Sequence, residues 1–388
     1  MRKLVIPLFI AMLVFCIPVG VIATEQSASI QPFKSQSFSP ARKEVFVFAV
    51  KTSASLDIKE IKIEIRTSDN DLIRVLSPIK KKANTNSYEF SWDGKDTEKG
   101  VVPDEVYHPV VNIITADNIT HTISNNASSG GEEVYDFEKR IRPGAIEYTL
   151  PVASRLLIRT GIKNGPMLRT LVDWQPRSSG FHVERWNGRD LDDLIAVEQN
   201  PKVGHLIVGY KLPDNSIITY GNDNETYRIY RERKNWPLKQ ATYENRLLER
   251  NGIAIRSEYY QPVLQQKSPR IEAVFLTKQS RQQTQSVQGF EEFITEVKLH
   301  PLDEMYLDQE RYEISFFINN EFIAEEEQGF VPFTWRWSPG RQGIKPGKHV
   351  LTVNISGYAG QVGVRNIPFT LLDEKKVLLN KNKQGEVK

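Results

Sequence analysis

Three short clusters in this 388-residue chain carry side chains of the kinds that do chemistry. The first is SYEFSWDGKD, residues 87–96, in which Trp92-Asp93-Gly94 precedes Asp96, with Asp104 further along the same loop. Oxygens gathered on one loop are what a calcium ion requires. A related cluster, Trp186-Asn187-Gly188 followed by Asp190, Asp192 and Asp193, has an amide in place of Asp93 and lacks calcium-loop spacing. A charge needed for metal binding or proton transfer would not exchange for an amide, whereas a turn accepts either, because Asp and Asn both bond their own backbone. The spacing therefore predicts tight turns at Asp93-Gly94 and Asn187-Gly188, with the remaining carboxylates solvated. Trp92 and Trp186 each close a strand and are expected in the core, where burying such a ring is worth about 2 to 3 kcal/mol.

The second group is basic and aromatic: Tyr227, Arg228, Tyr230, Arg231, Arg233, Lys234 and Trp236. Arginine and tyrosine recur in contact surfaces, so this segment could grip an anionic polysaccharide or a protein partner; the competing reading is a solvated connector. The third group, Phe333, Trp335 and Trp337, lies on one face of PFTWRW and reads as a core stripe.

Other chemistry lacks a frame. The six histidines, at 108, 121, 182, 205, 300 and 349, are scattered, and His182 with Glu184 has no visible third partner for a metal. No Gly-x-Ser-x-Gly and no phosphate-binding glycine loop occurs. No catalytic residue, metal ligand or cofactor is expected. The formal charge of +3 falls to near zero, 49 basic against 48 acidic residues, once Arg2 and Lys3 are removed with the N-terminal segment. That balance excludes an electrostatic nucleic-acid binder.

The elements that must position these residues are strands. Alternation with period two runs through EVFVFAV (44–50), IKIEIR with Ile61, Ile63 and Ile65, and YEFSW, and again through RLLIRTGI, HLIVGYKL, RYEISFFI and HVLTVNIS. Turn residues such as Asp69-Asn70, Asp214-Asn215 and Asn319-Asn320 separate them. An all-β protein of tandem immunoglobulin-like sandwiches is the expected fold class. One stretch reads as a helix, opening at Pro237, running through Ala241, Leu247 and Leu248, and ending at Asn251-Gly252. NNASSGGEEV (125–134) reads as a flexible joint.

The N-terminus, MRK followed by an apolar run to Ala23, has the form of a secretory signal peptide, with an uncleaved anchor as the alternative. Cys16 is the single cysteine and lies in that segment, so disulfides and zinc–thiolate sites are not expected in the mature chain. Trp186 follows Trp92 by 94 positions, the length of one sandwich, which places the repeat boundaries. The expected organisation is a signal peptide at 1–23, sandwiches at 39–137 and 143–222, a connector with a short helix at 223–265, a third sandwich at 266–372 and a charged tail at 373–388.

The first two blocks resemble the Ig-like domain of the flagellar hook-capping protein, whose pattern is a strand ending Trp-Asp-Gly, a polar loop, Pro-x-Gly-x-Tyr and an alternating strand. Trp92-Asp93-Gly94, Pro103-Asp104 and Tyr107 match it, with Glu105 where glycine is usual; the second copy lacks the Pro-x-Gly-x-Tyr part. The third block, with GIKPGKHVLTVNISGYAG, is similar to bacterial Ig-like modules that accompany surface enzymes and adhesins. The resemblance implies a fold and hardly any function. The expectation is an exported, non-enzymatic scaffold, adhesion or assembly subunit, in the periplasm, on the outer surface or outside the cell, without a membrane span once the signal is cleaved. Its partner would be a protein or a cell-surface component. The alternative is a polysaccharide-binding module accessory to a surface or secreted enzyme system.

Overall fold

A computed structural model of the chain describes residues 28–373 apart from 34–35, 82–84, 125–131, 223, 238–247, 251–252, 256–266, 279–281, 289–290, 308–310 and 359. The expected signal peptide, Cys16, most of the joint at 125–134 and residues 374–388 lie outside the described ones.

The alternating segments pair into two-sheet sandwiches, each with an apolar interior of its own. In the first, Ala28–Ile30, Phe46–Thr52, Ser87–Trp92 and Lys80–Lys81 form one sheet. The facing sheet runs Ser37–Phe38, Ile217–Thr219, Val106–Thr115, Ile58–Thr67, Leu72–Leu76, with Thr120–Ile123 also on Val106–Thr115. Period two appears directly in burial: Tyr88, Phe90 and Trp92 point inward against Ile61, Ile63 and Ile65. The second sandwich sets Lys139–Arg142, Ala145–Leu150 and Gly180–Arg185 against Met167–Arg177, Ser154–Ile162 and Val203–Lys211. Ile146, Tyr148, Leu150, Leu156, Ile158 and Val172 fill it.

The third sets Ile271–Thr277, Phe293–Leu299 and Phe333–Trp337 against Ser286–Gln288, Val362–Leu372, Gly347–Gly357, Tyr312–Ile318 and Glu321–Glu326. The Trp335 and Trp337 rings stack 4.5 Å apart, and Trp335 also stacks on Phe316, so this stripe faces the core. The all-β class and the tandem sandwiches of the sequence reading are what the chain forms.

The order of strands hides an exchange. In the third module, Ser286–Gln288 runs parallel to the closing strand Val362–Leu372. In the first, Ser37–Phe38 runs parallel to Ile217–Thr219, so that segment is the first module's closing strand, although the chain reaches it only after passing through the second module. Thr120–Ile123 covers the far half of the same edge, pairing with Val111–Ile114, while Ile217 and Ile218 pair with Tyr107 and Val106. The second sandwich is thus inserted between two pieces of the strand that closes the first. In the second module the position beside Val203–Lys211 is taken by residues from before it, through the Glu133–Tyr210 bridge and the Val134 N to Gly209 O bond of 2.8 Å. Short runs such as Ile217–Thr219 carry no mark of which sheet they join. We propose 28–123 with 217–219 as the first sandwich and 132–212 as the second.

Two helices occur among the described residues. The one in the connector is Tyr227–Lys234, upstream of the predicted start at Pro237. Residues 238–247 of the predicted helix lie outside the described ones, and Leu248–Arg250 at its end is a strand paired with Ile253–Ile255. The expected and observed starts differ because Pro237 suits a first helical turn, while the charged segment before it hides its own start signal, Thr226. The other helix, Pro301–Leu307, was not foreseen, although Pro301 followed by Asp303 and Glu304 is a helix-start pattern.

Candidate functional site

The two Trp-turn clusters fold alike. Gly94 and Gly188 both take positive φ, 70° and 72°, which a side chain would strain. Asp93 Oδ1 accepts from Lys95 N at 3.2 Å, and Asn187 Oδ1 accepts from Arg189 N at 3.2 Å. Each oxygen also accepts from an arginine on the neighbouring strand, Arg74 at 2.8 Å and Arg169 at 3.0 Å. Carboxylate and amide share this acceptor role, while the Asn187 amide also donates to Asp193 Oδ1 at 2.8 Å. Trp92 is buried and donates its indole N–H to Lys95 O at 3.0 Å; Trp186 is half-buried at the edge of the second core.

Of the carboxylates expected to be solvated, Asp193 is exposed, but Asp96 and Asp190 are not. Asp96 and Asp190 are 3% and 0% exposed. Each folds back into its own turn: Asp96 Oδ1 accepts from Glu98 N and Gly100 N at 3.0 and 2.9 Å. Asp190 Oδ1 accepts from Leu194 N and Ile195 N at 2.7 and 2.5 Å. Backbone N–H groups in a tight turn have no ladder partner, so an inward carboxylate satisfies them. The sequence signal was there, an Asp two residues after the glycine in both copies.

The second oxygen of each acid faces the next part of the chain. Asp96 Oδ2 accepts from the Tyr230 hydroxyl at 3.0 Å and pairs with Lys234 Nζ at 2.8 Å. Burial alone would raise the Asp96 carboxyl, but hydrogen bonds from Lys234, Tyr230 and Gly100 more than offset this and hold it below the ordinary carboxylate value. Asp190 Oδ2 accepts from Asn366 Nδ2 of the third module at 2.8 Å.

Tyr230 and Lys234 belong to the helix Tyr227–Lys234. It starts where Thr226 accepts from Ile229 N at 3.4 Å and stops at Asn235, which is left-handed at φ 49°. Its last turn carries Arg231, Arg233 and Lys234, the charge its C-terminal dipole favours. Residues 227, 230, 231 and 234 fall on one face, which lies on the first module. Tyr230 is completely buried in that module's core and meets Trp236 edge-on at 5.6 Å. Arg231 is 3% exposed; it pairs with Asp69 at 3.1 Å and, more closely, with Asp71, donates to Pro237 O at 2.9 Å and lies over the Trp236 ring. Tyr227 donates to Asp69 Oδ2 at 3.0 Å. Burial disfavours the Arg231 charge, yet the bond to Tyr227 and the fields of Asp69 and Asp71 raise its pKa. The opposite face reaches the third module through Arg228 to Asp303 at 3.4 Å and Glu232 to Arg270 at 3.5 Å. Arg233 turns back onto Glu225 at 2.8 Å. The predicted contact segment is therefore engaged with the chain's own modules.

A second joint links modules one and two. Glu105, at the position where the hook-cap pattern has glycine, pairs with Arg155 at 2.8 Å, and both are nearly inaccessible. Arg155 also donates to Trp174 O and Ser68 Oγ, at 2.9 and 3.2 Å. Ser68 Oγ lies 3.2 Å from His108 Nε2. Burial, helped by the Arg155 charge, pushes the His108 pKa down to about 3, so this imidazole is neutral. Asp104, which might have joined a calcium loop, instead accepts from Gly221 N and Asn222 N at 2.7 and 2.9 Å.

A third joint links modules two and three. Asp192 pairs with Arg365 at 2.5 Å and accepts from Asn366 N at 2.7 Å, while Asn354 exchanges two bonds of 2.9 Å with the Met167 backbone.

Where the modules and connector meet there is a cleft of about 930 Å³ lined by Asp104, Glu105, Asp173 and Glu225 among others. Converging carboxylates are the feature that would serve hydrolysis. Each of these four is an acceptor already: Asp173 takes Ser268 N and Oγ, and Arg233 holds Glu225 below the ordinary carboxylate value despite partial burial. Arginines hold Glu105 and Glu225, while backbone and serine groups donate to Asp104 and Asp173. Among the described residues no group of three or more His, Cys, Asp or Glu could hold a metal ion, and no helix is long and apolar enough to cross a membrane.

The arrangement defines a class: Ig-like sandwiches fixed to one another by buried polar joints. No protein-family model matches the sequence. No curated protein matches it either. Among solved structures it is similar to the fibronectin(III)-like modules of Clostridium thermocellum CbhA, at 7% identity, covering 89% of this chain and 93% of that one, TM-score 0.18. It is similar to the FN1-FN3 domains of chicken CNTN1, at 8% identity, 89% and 98% coverage and TM-score 0.19. A bacterial ice-binding adhesin of 1.5 MDa gives 9% identity, 89% and 96% coverage and TM-score 0.18. Scores this low leave the sheets described above as the basis for the fold.

Proposed function

We propose that the chain is an exported, non-enzymatic scaffold, adhesion or assembly subunit that holds a protein partner or a cell-surface component at a fixed distance, in the periplasm, on the outer surface or outside the cell. The single observation that carries this reading is the set of buried joints: Arg231 with Asp69 and Asp71, Glu105 with Arg155, and Asp190 with Asn366. Flexible tandem modules need no such charge burial, which is expensive unless every partner is in place. A chain that fixes its modules this way transmits position. The apolar N-terminal run supplies the export route, with Ala23 as the last residue removed.

The test is cross-linking in the native cell followed by fractionation and mass spectrometry. The expected result is a chain beginning at Thr24, recovered in the exported fraction and cross-linked to a surface component. An uncleaved cytoplasmic chain, or an exported one that forms no adduct, overturns the proposal. Glycan-array binding lost on Trp236→Ala would favour the polysaccharide-binding alternative; Trp236 packs against Tyr230 and Arg231, so the expected result is no such binding.

A further inference from the structure

Two sheet edges of this chain carry opposite charge. The strand Lys139–Arg142 ends the sheet of the second module, and all four of its residues, Lys-Arg-Ile-Arg, are exposed. Among the described residues it pairs only with Ala145–Leu150, so its other side presents unused backbone N–H and C=O groups. The strand Glu321–Glu326 ends the larger sheet of the third module and, among the described residues, pairs only with Tyr312–Ile318. Its exposed residues include Glu321, Phe322 and Glu325, and Glu327 follows. The two edges do not pair with each other within the chain.

Charged edge strands ordinarily prevent pairing, because copies of one edge repel. That protection works only against like charge. Here each edge is guarded against itself and matched to the other in sign: Lys139, Arg140 and Arg142, the last also paired with Glu147 at 3.0 Å, against Glu321, Glu325 and Glu326. Isoleucine at 141, 49% exposed, and phenylalanine at 322, 53% exposed, add an apolar residue to each edge.

We infer that the partner of this chain is a second copy of itself, joined head to tail by antiparallel addition of the Lys139–Arg142 edge of one molecule to the Glu321–Glu326 edge of the next. The contact is heterologous, with different patches on the two molecules, so it propagates into an open row unless the rotation happens to close a ring. Backbone bonds give the affinity and the charges set the choice of edge. The inference rests on the scaffold reading, whose partner it names, but a monomeric chain that still cross-links to the cell surface would overturn it and leave that reading standing.

The experiment is sedimentation of the purified chain over a wide concentration range. Association should grow with concentration and weaken by roughly tenfold or more between about 0.1 M and about 1 M salt, as the screening length falls from about 10 to about 3 Å. The double variant Arg140→Glu/Arg142→Glu should be monomeric, and so should Glu321→Arg/Glu325→Arg. The variant carrying all four changes should associate again, which a merely damaged fold would not do. Circular dichroism and thermal unfolding check that each double variant is folded, and either one alone decides the matter if the other fails to fold. A wild-type chain that stays monomeric at every concentration, charge reversals that leave association unchanged, or a fourfold variant that remains monomeric would each overturn the inference.

Discussion

The turn at Trp92 and the turn at Trp186 have one backbone shape and two uses. In both, a glycine at positive φ and an Asp two residues later build the turn, and one oxygen of that Asp is consumed by backbone N–H groups. The other oxygen is turned to a neighbour, although at Asp190 it also accepts from Asp192 N at 3.3 Å. At Asp96 it receives a tyrosine hydroxyl and an ammonium; at Asp190 it receives a side-chain amide. A repeated motif thus offers a preformed acceptor beside each sandwich, and the neighbour sets its strength: a charged ammonium donor at the connector helix, an uncharged amide donor at the third module.

Breaking the stronger joint should have the largest effect. Arg231→Met leaves Asp69 and Asp71 facing each other without their cation, and a buried pair broken this way costs about 3 to 5 kcal/mol. Denaturant titration should show that loss, with the helix contacts exchanging amide hydrogen faster. Next, Asp96→Asn and Asp190→Asn compare the turns directly. The first removes two charge-assisted bonds and should cost about 2 to 3 kcal/mol, the second about 1 kcal/mol; equal losses would mean that the turn itself, and not the neighbour, sets the value.

Acid should sharpen the difference. His108 has a folded pKa of about 3 against an ordinary 6.5, so the unfolded chain binds its proton more readily. Its contribution is fully present above about pH 6.5 and is lost as the pH falls toward about 3, with a slope of at most about 1.4 kcal/mol per pH unit. Asp96, also depressed, keeps its contribution above its ordinary value of 3.8 and loses it only as the pH drops further, through its folded value. Stability measured against pH should therefore decline in two stages, and His108→Gln should erase the upper one. The smallest effect is expected at Arg365→Ala, whose half-exposed partnership with Asp192 is worth about 1 kcal/mol or less.

Much of this was legible beforehand and some of it was not. Strands announced themselves because alternating side chains such as Tyr88, Phe90 and Trp92 must face one way. The amide in place of Asp93 predicts a turn, and Asp93 and Asn187 each accept from the N–H two residues on. Burial of Asp96 and Asp190 was missed because Asp is normally solvated, although its place two residues after the glycine was readable in both copies. The helix Tyr227–Lys234 carried readable signals, Thr226 before it and Asn235 after it, yet its basic and aromatic residues read as an outward contact surface. Tyrosine and arginine suit a partner's surface and an internal joint for the same reasons, so composition alone does not separate them.

The inserted second sandwich has a consequence for the order in which the molecule matures. Thr219 reaches back 116 positions to bond Pro103. A ribosome delivers the N-terminus first, so the first sandwich emerges with half of one edge uncovered and stays that way while roughly a hundred more residues are made. The first module in the sequence is thereby the later of the two to be finished.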